Sequence, residues 1–367
     1  NQNNNWKFNW LTSWDEVWQP DFVKQWQAWI DKSPSAHVFF HPALVKAWVD
    51  TYLPLRDIKP YFLIAELEES IVFLPLVLWR RNWKNAFQRL LIPVGYSDYD
   101  YHDPIMVNSH GTSVIDSFWP QFAYELSNHS PVKYDTLHLD GIREKYVPNE
   151  NSLKFDNKWT QIDICPWIDL KSFKKPEDFL PSLKTSLRQD LRRQQRRMSE
   201  IGDAQFTVFN KDTISKALME LPAFLAAHAK RWPMSYKAPS FHEKLIRFGL
   251  PANVVHFSVL RISGVPAAWH LSFIFKNCLY SYMPTHDTAL ENVSPSKVLL
   301  LKCIEDAIAR GLTVYDFMRG EESYKSGWTD KSNKLWALQF ERKHFLSSLR
   351  NSAVIHIKSR LKLLLSK

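Results

Sequence analysis

Glycine is scarce in this sequence, and the few glycines lie far apart. The 367 residues include nine glycines, and no two of them are closer than seven positions. The dinucleotide fingerprint G-x-G-x-x-G and the phosphate loop G-x-x-x-x-G-K-[ST] both need closer spacing. The motifs H-E-x-x-H and G-x-S-x-G are missing as well. These absences exclude the usual sequence forms of nucleotide-binding, zinc-protease and serine-hydrolase sites.

Cysteine and long apolar runs are also sparse. The chain has three cysteines, Cys165, Cys278 and Cys303, with no C-x-x-C pair, so we predict neither a disulfide framework nor a metal site. No apolar run reaches the roughly 18 residues that span a bilayer. The start, "NQNNNW", has neither the basic nor the apolar region of a signal peptide. We therefore expect a cytoplasmic protein.

What the sequence does contain is aromatic and basic. Apolar residues make up 45% and aromatic residues 14%, which predicts well-packed domains. The formal net charge of +9 favours anionic partners such as phosphates, coenzymes, nucleic acid or acidic membrane. The charge alone identifies no particular partner.

The order of strand and helix patterns predicts two α+β halves. "KPYFLIAEL" and "SIVFLPLVLW" form a hairpin around the turn "EE". Both halves show mostly antiparallel neighbours and one helical crossover near the end. The polar stretch 142–158 separates the halves, which predicts an N-terminal lobe at 1–158 and a C-terminal lobe at 159–345. An amphipathic helix at 346–367 either packs on protein or docks peripherally on the inner face of an anionic membrane.

Two basic features are candidates for binding a phosphate-containing coenzyme. One is the helix "SLRQDLRRQQRRM", where Arg188 and Arg192 lie on the face opposite the leucines. The other is the helix opened by "SPSK", where Ser294, Ser296 and Lys297 supplement the unpaired N–H groups of a helix start. A solvated helix face and an ordinary helix cap explain the same patterns and stay open.

The segment "YDFMRGEESYKSGW" ends an alternating strand in a knot of charge. Asp316 falls on the buried face of the strand, and Arg319 or Lys325 is the expected partner for its carboxylate. Tyr324 is a candidate proton donor, and Glu322 would suit a helix start. An ion-paired turn explains the same residues without catalysis.

Two further groups are candidates for contacting the substrate. The loop "DYDYHDP" carries Asp98, Asp100, His102 and Asp103, which suit hydroxyl-rich or cationic groups; a plain polar loop is the alternative. His286 follows a strand and precedes the "SPSK" helix. His270, on an apolar strand, fits a core histidine unless that strand borders a cleft.

Taken in order, several segments resemble one known family. They are "SLKTSLRQDLRRQQRRMSEIG", "PAAWHLSFIFKNCLYSYMPTHD", "SPSKVLLLKCIEDAIARG" and "DFMRGEESYK". The last is similar to the D-F-L-R-G-D-E-x-Y-K signature of CelD/BcsL-like acyltransferases. That family belongs to the GCN5-related N-acetyltransferase (GNAT) superfamily and is akin to the Fem aminoacyltransferases. The resemblance covers residues 35–345.

The resemblance implies a mixed α+β fold and an acyltransferase activity. It implies two GNAT-like lobes, each a mostly antiparallel twisted sheet flanked by helices, around a central cleft. An acyl group would pass from acetyl-CoA or another acyl-CoA to a cell-envelope, exopolysaccharide or related small-molecule acceptor. The "SPSK" helix would cradle the coenzyme pyrophosphate. Tyr324 would protonate the leaving thiolate, while Asp316, Arg319 and Lys325 would order the site.

Alternatives to this reading remain open at this point. A Fem-like enzyme would take its acyl group from aminoacyl-tRNA, which the arginine-rich helix would suit. A non-catalytic accessory protein of polysaccharide biosynthesis would keep the fold and only bind. We expect no metal cofactor and no DNA partner.

Overall fold

The computed structural model describes residues 5–108, 112–129, 131–149, 158–236 and 238–365. The chain forms two compact units: unit 1 comprises residues 1–162 and 334–367, and unit 2 comprises residues 163–333. The predicted boundary stretch, 142–158, lies partly outside the described residues. Within the described part of the chain, no helix is long and apolar enough to cross a membrane.

Unit 1 is a mostly antiparallel sheet with helices. Its strands are β1 (Lys7–Leu11), β2 (Asp57–Leu67), β3 (Ser70–Arg80), β4 (Arg89–Pro93), β5 (Ile105–Val107), β6 (Thr136–Arg143) and β13 (Ser332–Glu341). Its helices are α1 (Trp14–Val17), α2 (Pro20–Lys32), α3 (Pro42–Tyr52), α4 (Thr112–Asn128) and α10 (Phe345–Leu365). The strand order is β1-β2-β3-β4-β6-β13, and β5 pairs with β3. Only β4 and β6 run parallel among the pairs described for this unit.

Unit 2 has a sheet of the same general kind. Its strands are β7 (Trp159–Asp169), β8 (Ala204–Phe209), β9 (Val255–Ile262), β10 (Val265–Phe275), β11 (Cys278–His286) and β12 (Val314–Asp316). Its helices are α5 (Phe179–Ser182), α6 (Thr185–Ile201), α7 (Ile214–Arg231), α8 (Phe241–Gly249) and α9 (Pro295–Ala309). The order is β7-β12-β11-β10-β9-β8, with β11 and β12 parallel and the other described pairs antiparallel. The predicted mixed α+β class is confirmed.

Local sequence signals account for several of these elements. The turn at Glu68–Glu69 joins β2 to β3, and Leu67 pairs directly with Ser70 as the hairpin prediction requires. Helix α9 starts with proline at its first position, where no N–H is needed. It ends before Gly311, whose φ of +74° suits glycine.

The predicted basic helix lies within α6. The short helix α5 precedes it and is separate because Leu183 and Lys184 have a non-helical backbone. Gly202 ends α6 with φ of 168°, which is extended backbone. Its glycine is explained by packing, since a Cβ at Gly202 would lie 1.9 Å from the Ser263 hydroxyl.

The C-terminal segment packs in unit 1. The sequence places residues 334–345 in the second lobe and predicts a helix at 346–367. A helix forms there, α10, but residues 334–341 belong to unit 1, because β13 pairs antiparallel with β6 from Leu335 opposite Arg143 to Glu341 opposite Thr136. On α10, Ser347 donates a 2.7 Å hydrogen bond to the buried Asp135 carboxylate. Non-local strand pairing thus joins the two ends of the chain in one unit.

Candidate active site

In unit 2, strand β11 extends beyond the end of its neighbour β12. The two strands pair only from Cys278 opposite Val314 to Tyr280 opposite Asp316. Strand β11 continues to His286, and its other edge stays paired with β10 up to Ala268. After Asp316 the chain turns toward β7, where the Phe317 N–H donates to the Pro166 carbonyl at 2.9 Å. Strands β11 and β12 therefore separate after Tyr280, while β11 continues to His286.

The N-terminus of α9 follows the part of β11 that continues beyond β12. A 3₁₀ turn at Thr288–Val293 connects them, and Ser294 has a left-handed conformation, with φ of 46°. The Ser296 hydroxyl lies 2.8 Å from His286 Nδ1. The first N–H groups of a helix have no intrahelical acceptor and carry the positive end of its dipole. The end of β11 and the start of helix α9 therefore lie close together.

His286 has a second side-chain partner at the end of α7. The Nη1 atom of Arg231 donates to His286 Nδ1 at 2.9 Å. Because arginine only donates, Nδ1 must accept and the ring carries its proton on Nε2. Burial and the charge of Arg231 lower the pKa of His286, so the ring is neutral at pH 7.

Residues 316–325 form the charged knot after β12, and most of its polar groups are hydrogen-bonded or ion-paired within this loop. Asp316 is buried, and its Oδ1 accepts the Met318 N–H at 2.7 Å, where Met318 is left-handed. The buried Lys325 ammonium donates to the carbonyls of Arg319 at 2.9 Å and Gly320 at 3.3 Å. These contacts hold the loop in one shape.

Two ion pairs complete that bracing. Lys325 pairs with Glu322 at 2.7 Å, and Arg319 pairs with Asp163 at 2.9 Å. Gly320 has φ of +117°, and a Cβ there would lie 2.5 Å from a Glu322 carboxylate oxygen. The loop thus needs glycine at this position. The sequence predicts Arg319 or Lys325 as the partner of Asp316. The contacts given above join Arg319 to Asp163, and Lys325 to Glu322 and to two loop carbonyls. A direct catalytic role for these side chains stays a prediction.

Tyr324 is the exposed aromatic residue of this loop. Its side chain meets the Phe317 ring edge-on at 6.2 Å, and the residue is 44% exposed. Partial burial and the charge of Glu322 raise the pKa of Tyr324, while Arg231 lowers it. Arg231 therefore acts electrostatically on both Tyr324 and His286, which brings the loop and the α9 terminus to one neighbourhood.

The lysine and the two arginines that the sequence predicts to bind the coenzyme do not lie on one common surface. Lys297 donates to Asp190 on α6 and so ties α6 to α9. Arg188 donates to the Pro181 carbonyl at 2.8 Å, and Arg192 is exposed. At 100° per residue, Arg188 and Arg192 lie about 160° and 200° around the helix from Asp190. Helix α6 therefore presents them away from the Lys297 contact.

The predicted substrate residues divide between the units. His270 is buried in unit 2 with Nε2 at 3.0 Å from the Ser281 hydroxyl, and burial lowers the pKa of His270 to about 3. The "DYDYHDP" loop lies in unit 1. There Asp98 accepts from Trp48 Nε1 at 3.0 Å, and the buried His102 and Asp103 meet other charged residues. His102 lies 3.3 Å from Asp140 and Asp103 lies 2.8 Å from Arg143.

Asp100 is half-buried in the same loop, and a Cβ at Gly141 would lie 2.4 Å from its carbonyl oxygen. These contacts give the loop a clear structural role in unit 1. Substrate contact by Asp98, Asp100, His102 or Asp103 stays a prediction.

Sequence reasoning missed Arg231 and Asp163. Neither residue stands in a recognisable motif, and Arg231 is 55 positions from the histidine that it contacts. A basic residue in the last turn of a helix is the one available signal for Arg231. In the described part of the chain, no group of three or more metal-ligating side chains occurs.

The chain was compared with known proteins. Residues 185–326 match the sequence model of a family described as acetyltransferase (GNAT) domain, and this stretch lies inside unit 2. No curated protein matches the sequence at a significant level.

Solved structures share the fold at low sequence identity. The crystal structure of FemX has a TM-score of 0.60 at 8% identity, covering 86% of this chain and 95% of that one. A conserved protein of unknown function from Bacteroides thetaiotaomicron has a TM-score of 0.53 at 12% identity, with 86% and 97% covered. A C-terminal domain (DUF2156) assigned to a lysylphosphatidylglycerol synthetase from Agrobacterium fabrum has 0.51 at 12% identity, with 83% and 93% covered. The fold is GNAT-like; the CelD/BcsL-like subfamily stays a prediction.

Proposed function

We propose that this protein transfers an acyl group from acyl-CoA, acetyl-CoA being the simplest donor, to an amine or hydroxyl of an acceptor. One observation carries the proposal: β11 separates from β12 after Tyr280 and leads directly to the N-terminus of α9, in the segment that matches the GNAT family model. Where two strands separate, an extended ligand can enter beside the strand backbone, and a helix start offers N–H groups to phosphate.

In this proposal, the α9 terminus binds the coenzyme pyrophosphate. The Ser294 and Ser296 backbone lies at that terminus, and the Ser296 hydroxyl is held by His286. The thioester carbonyl lies beside β11 where it separates from β12, and backbone N–H groups there stabilise the oxygen as negative charge develops. Lys297 contributes indirectly, because its bond to Asp190 fixes α9 against α6.

Tyr324 is the proposed proton donor. The acceptor nitrogen or oxygen attacks the carbonyl carbon, the C–S bond breaks, and the thiolate takes the phenolic proton. The proton lost by the acceptor then restores the phenol, so that protons and charge balance. A raised pKa keeps Tyr324 protonated at neutral pH, as this role requires. Glu322, Arg319, Asp316 and Lys325 act by holding the loop that carries Tyr324.

The acceptor class rests on the resemblance seen in the sequence. It would be a cell-envelope, exopolysaccharide or related small molecule. The Fem-like alternative, with aminoacyl-tRNA as donor, is favoured by one observation: Arg192, Arg196 and Arg197 are exposed together on α6. An accessory protein that binds without catalysis is the third reading.

Isothermal titration with acetyl-CoA tests the donor. Wild type should bind, and Ser296→Asp should weaken binding at least tenfold, because a carboxylate at the helix start repels pyrophosphate. Ser199→Asp, an exposed serine near the end of α6, is the charge-matched control and should bind as wild type. Failure of the wild type to bind acetyl-CoA and longer acyl-CoAs, together with tight binding of charged tRNA, would favour the Fem-like reading.

Tyr324→Phe tests the chemical role. With a donor and acceptor that turn over, kcat should fall roughly 10- to 100-fold, while the KM for acyl-CoA stays within about twofold. Tyr124→Phe, an exposed tyrosine on α4, is the matched control. An unchanged kcat in the Tyr324 variant would remove this tyrosine from the mechanism.

A further inference from the structure

Two arginines face each other at the open end of the β2–β3 hairpin in unit 1. The hairpin register pairs Asp57 with Arg80 and Ile58 with Trp79. Extending it by one position sets Arg56 opposite Arg81. Like charges directly across a sheet repel. The position of these two arginines therefore needs an explanation.

Aromatic rings hold both guanidinium groups in place. The Arg56 guanidinium carbon lies 4.1 Å from the centre of the Tyr52 ring and 4.3 Å from that of the Trp79 ring. The Arg81 guanidinium carbon lies 5.3 Å from the Trp79 ring. One indole thus supports two cations, and stacking of this kind fixes the planes of the guanidinium groups.

Both arginines keep buried donors unsatisfied. Among the residues that the structure describes, the Nη1 of Arg56 and the Nε of Arg81 are buried without a hydrogen-bond acceptor. No carboxylate lies within ion-pair distance of either side chain in that part of the chain. Burial lowers the pKa of Arg81, the nearby Tyr96 raises it, and Arg56 lowers it further. Unsatisfied buried donors of this kind are costly unless a partner arrives.

Further polar groups surround the pair. The Tyr96 ring lies 6.4 Å from the His138 ring, and both respond electrostatically to Arg81 and Asp140. Burial and Asp140 raise the pKa of Tyr96, so its hydroxyl remains a neutral donor. Asp140 itself lies 3.3 Å from His102. The Nδ1 atom of His102 also contacts the Asp140 backbone carbonyl at 3.1 Å, and among the described residues no ion pair joins Asp140 to either arginine.

We propose that Arg56 and Arg81, together with Tyr96 and His138, form a binding site for the phosphoryl group of a small molecule. Two fixed guanidinium forks carry two positive charges and match the oxygens of a phosphate or diphosphate dianion. A monocarboxylate carries half that charge and leaves one fork unsatisfied. The Trp79 indole shields the contacts from water on one side, which strengthens them.

The site is independent of the proposed acyl transfer. It lies wholly in unit 1, and its residues come from the hairpin, the chain after β4, and β6. Binding of a phosphoryl ligand can be measured without acyl-CoA or an acceptor. Failure of the acyl-CoA titration would therefore leave this proposal intact, and the reverse also holds.

Titration calorimetry on the full chain with pyrophosphate and inorganic phosphate tests the site. Sodium chloride at matched ionic strength and acetate serve as anion controls. We expect saturable binding of pyrophosphate with Kd at or below about 1 mM. Arg81→Gln and Arg56→Gln should each weaken it at least tenfold, since each removes one fork and one charge. Arg56→Lys and Arg81→Lys keep the charge and should weaken binding less.

Arg80→Gln is the matched control. Arg80 lies between Trp79 and Arg81 in sequence, but it is exposed and its guanidinium carbon is 5.9 Å from the Phe87 ring. Strand alternation turns it to the other face. This variant should bind pyrophosphate as wild type does.

The outcomes are decisive in both directions. No saturable binding of either phosphate by wild type, tighter binding of acetate, or equal loss in Arg80→Gln would each overturn the proposal. If Arg56→Gln does not fold, the wild-type and Arg81→Gln titrations still decide it. A nucleoside diphosphate that binds more tightly than pyrophosphate would identify a phosphorylated metabolite as the source, and equal binding would identify the inorganic anion.

Discussion

Positive charge is arranged in opposite ways in two regions of this protein. In the loop that carries Tyr324, each cation meets a carboxylate: Lys325 pairs with Glu322 and Arg319 with Asp163. At the end of the β2–β3 hairpin, Arg56 and Arg81 meet aromatic rings and each other. Paired cations give a loop its shape, whereas stacked and unsatisfied cations keep their capacity to bind a ligand.

A dense cluster of charged residues in the sequence suggests a binding site, but here the cations available to a ligand lie outside such clusters. The knot around Arg319 and the "DYDYHDP" loop are densely charged, and their charges are largely used internally. Arg56 and Arg81 stand apart in sequence and form no motif. The unsatisfied groups are therefore found by asking which cations lack an acceptor among the described residues.

The largest change in the free energy of unfolding should follow from removing the carboxylate that two arginines share. Asp135 is fully buried and accepts from Arg89 at 2.9 Å and from Arg350 at 3.2 Å. Asp135→Ala should lower the free energy of unfolding by about 3 kcal/mol, because it leaves both arginines unpaired. Urea denaturation measures this. Asp50→Ala, which breaks the exposed pair with Lys46, should change it by less than about 0.5 kcal/mol.

Lys325→Met should have the next largest effect. It removes the ammonium that satisfies the Arg319 and Gly320 carbonyls, at a cost of about 2 kcal/mol in the free energy of unfolding. Faster proteolytic cleavage at residues 317–324 should accompany it. Lys184→Met breaks an exposed pair with Asp330 and is the control. Equal destabilisation by both variants would contradict the bracing role of Lys325.

Buried histidines form a third class, bases that the fold keeps uncharged. Burial lowers the pKa of His270 to about 3, below the roughly 6.5 of an unfolded chain. Below pH 6.5 the unfolded chain binds the proton first, so stability is lost as pH falls through this window. His270 alone should account for about 2 kcal/mol of the loss between pH 7 and pH 5. His270→Gln, compared with wild type in urea at both pH values, should remove that part of the loss.

The smallest effect should come from removing an unpaired cation. Without added anion, Arg81→Gln should leave the free energy of unfolding unchanged or raise it by up to about 1 kcal/mol, since repulsion from Arg56 is relieved. Thermal unfolding in phosphate-free buffer measures this. With saturating pyrophosphate, wild type should become the more stable of the two. Destabilisation as large as that of Lys325→Met would erase the distinction between the two regions.

Short-range features of the fold could be predicted from sequence. The β2–β3 hairpin and α9 follow from a two-residue turn, a proline at the helix start and a glycine after its end. The hairpin turn even fixes the register that sets Arg56 opposite Arg81, so a signal for that pair was present. That the two arginines stack on aromatic rings could not be predicted, because only the folded chain brings the Tyr52 and Trp79 rings together around Arg56.

Long-range contacts could not be predicted. Arg319 meets Asp163, which is 156 positions away in the sequence. Strand β13 pairs with β6, although all the residues of unit 2 lie between these two strands in the sequence. A single sequence carries no signal for such pairs beyond general strand propensity. For the same reason, the sequence located Tyr324 and His286 as separate candidates, and only the structure supplied Arg231 between them.

Unit 1 is completed by a segment that follows unit 2 in the sequence. Strand β6 ends at Arg143, and its partner β13 is made only after residues 163–333 have been synthesised. At about 5–20 residues per second, that delay is on the order of 10–30 s. During it the edge of β6 stays unpaired, which is a hazard for aggregation. A nascent chain released early should therefore carry a folded unit 2 attached to an incomplete unit 1.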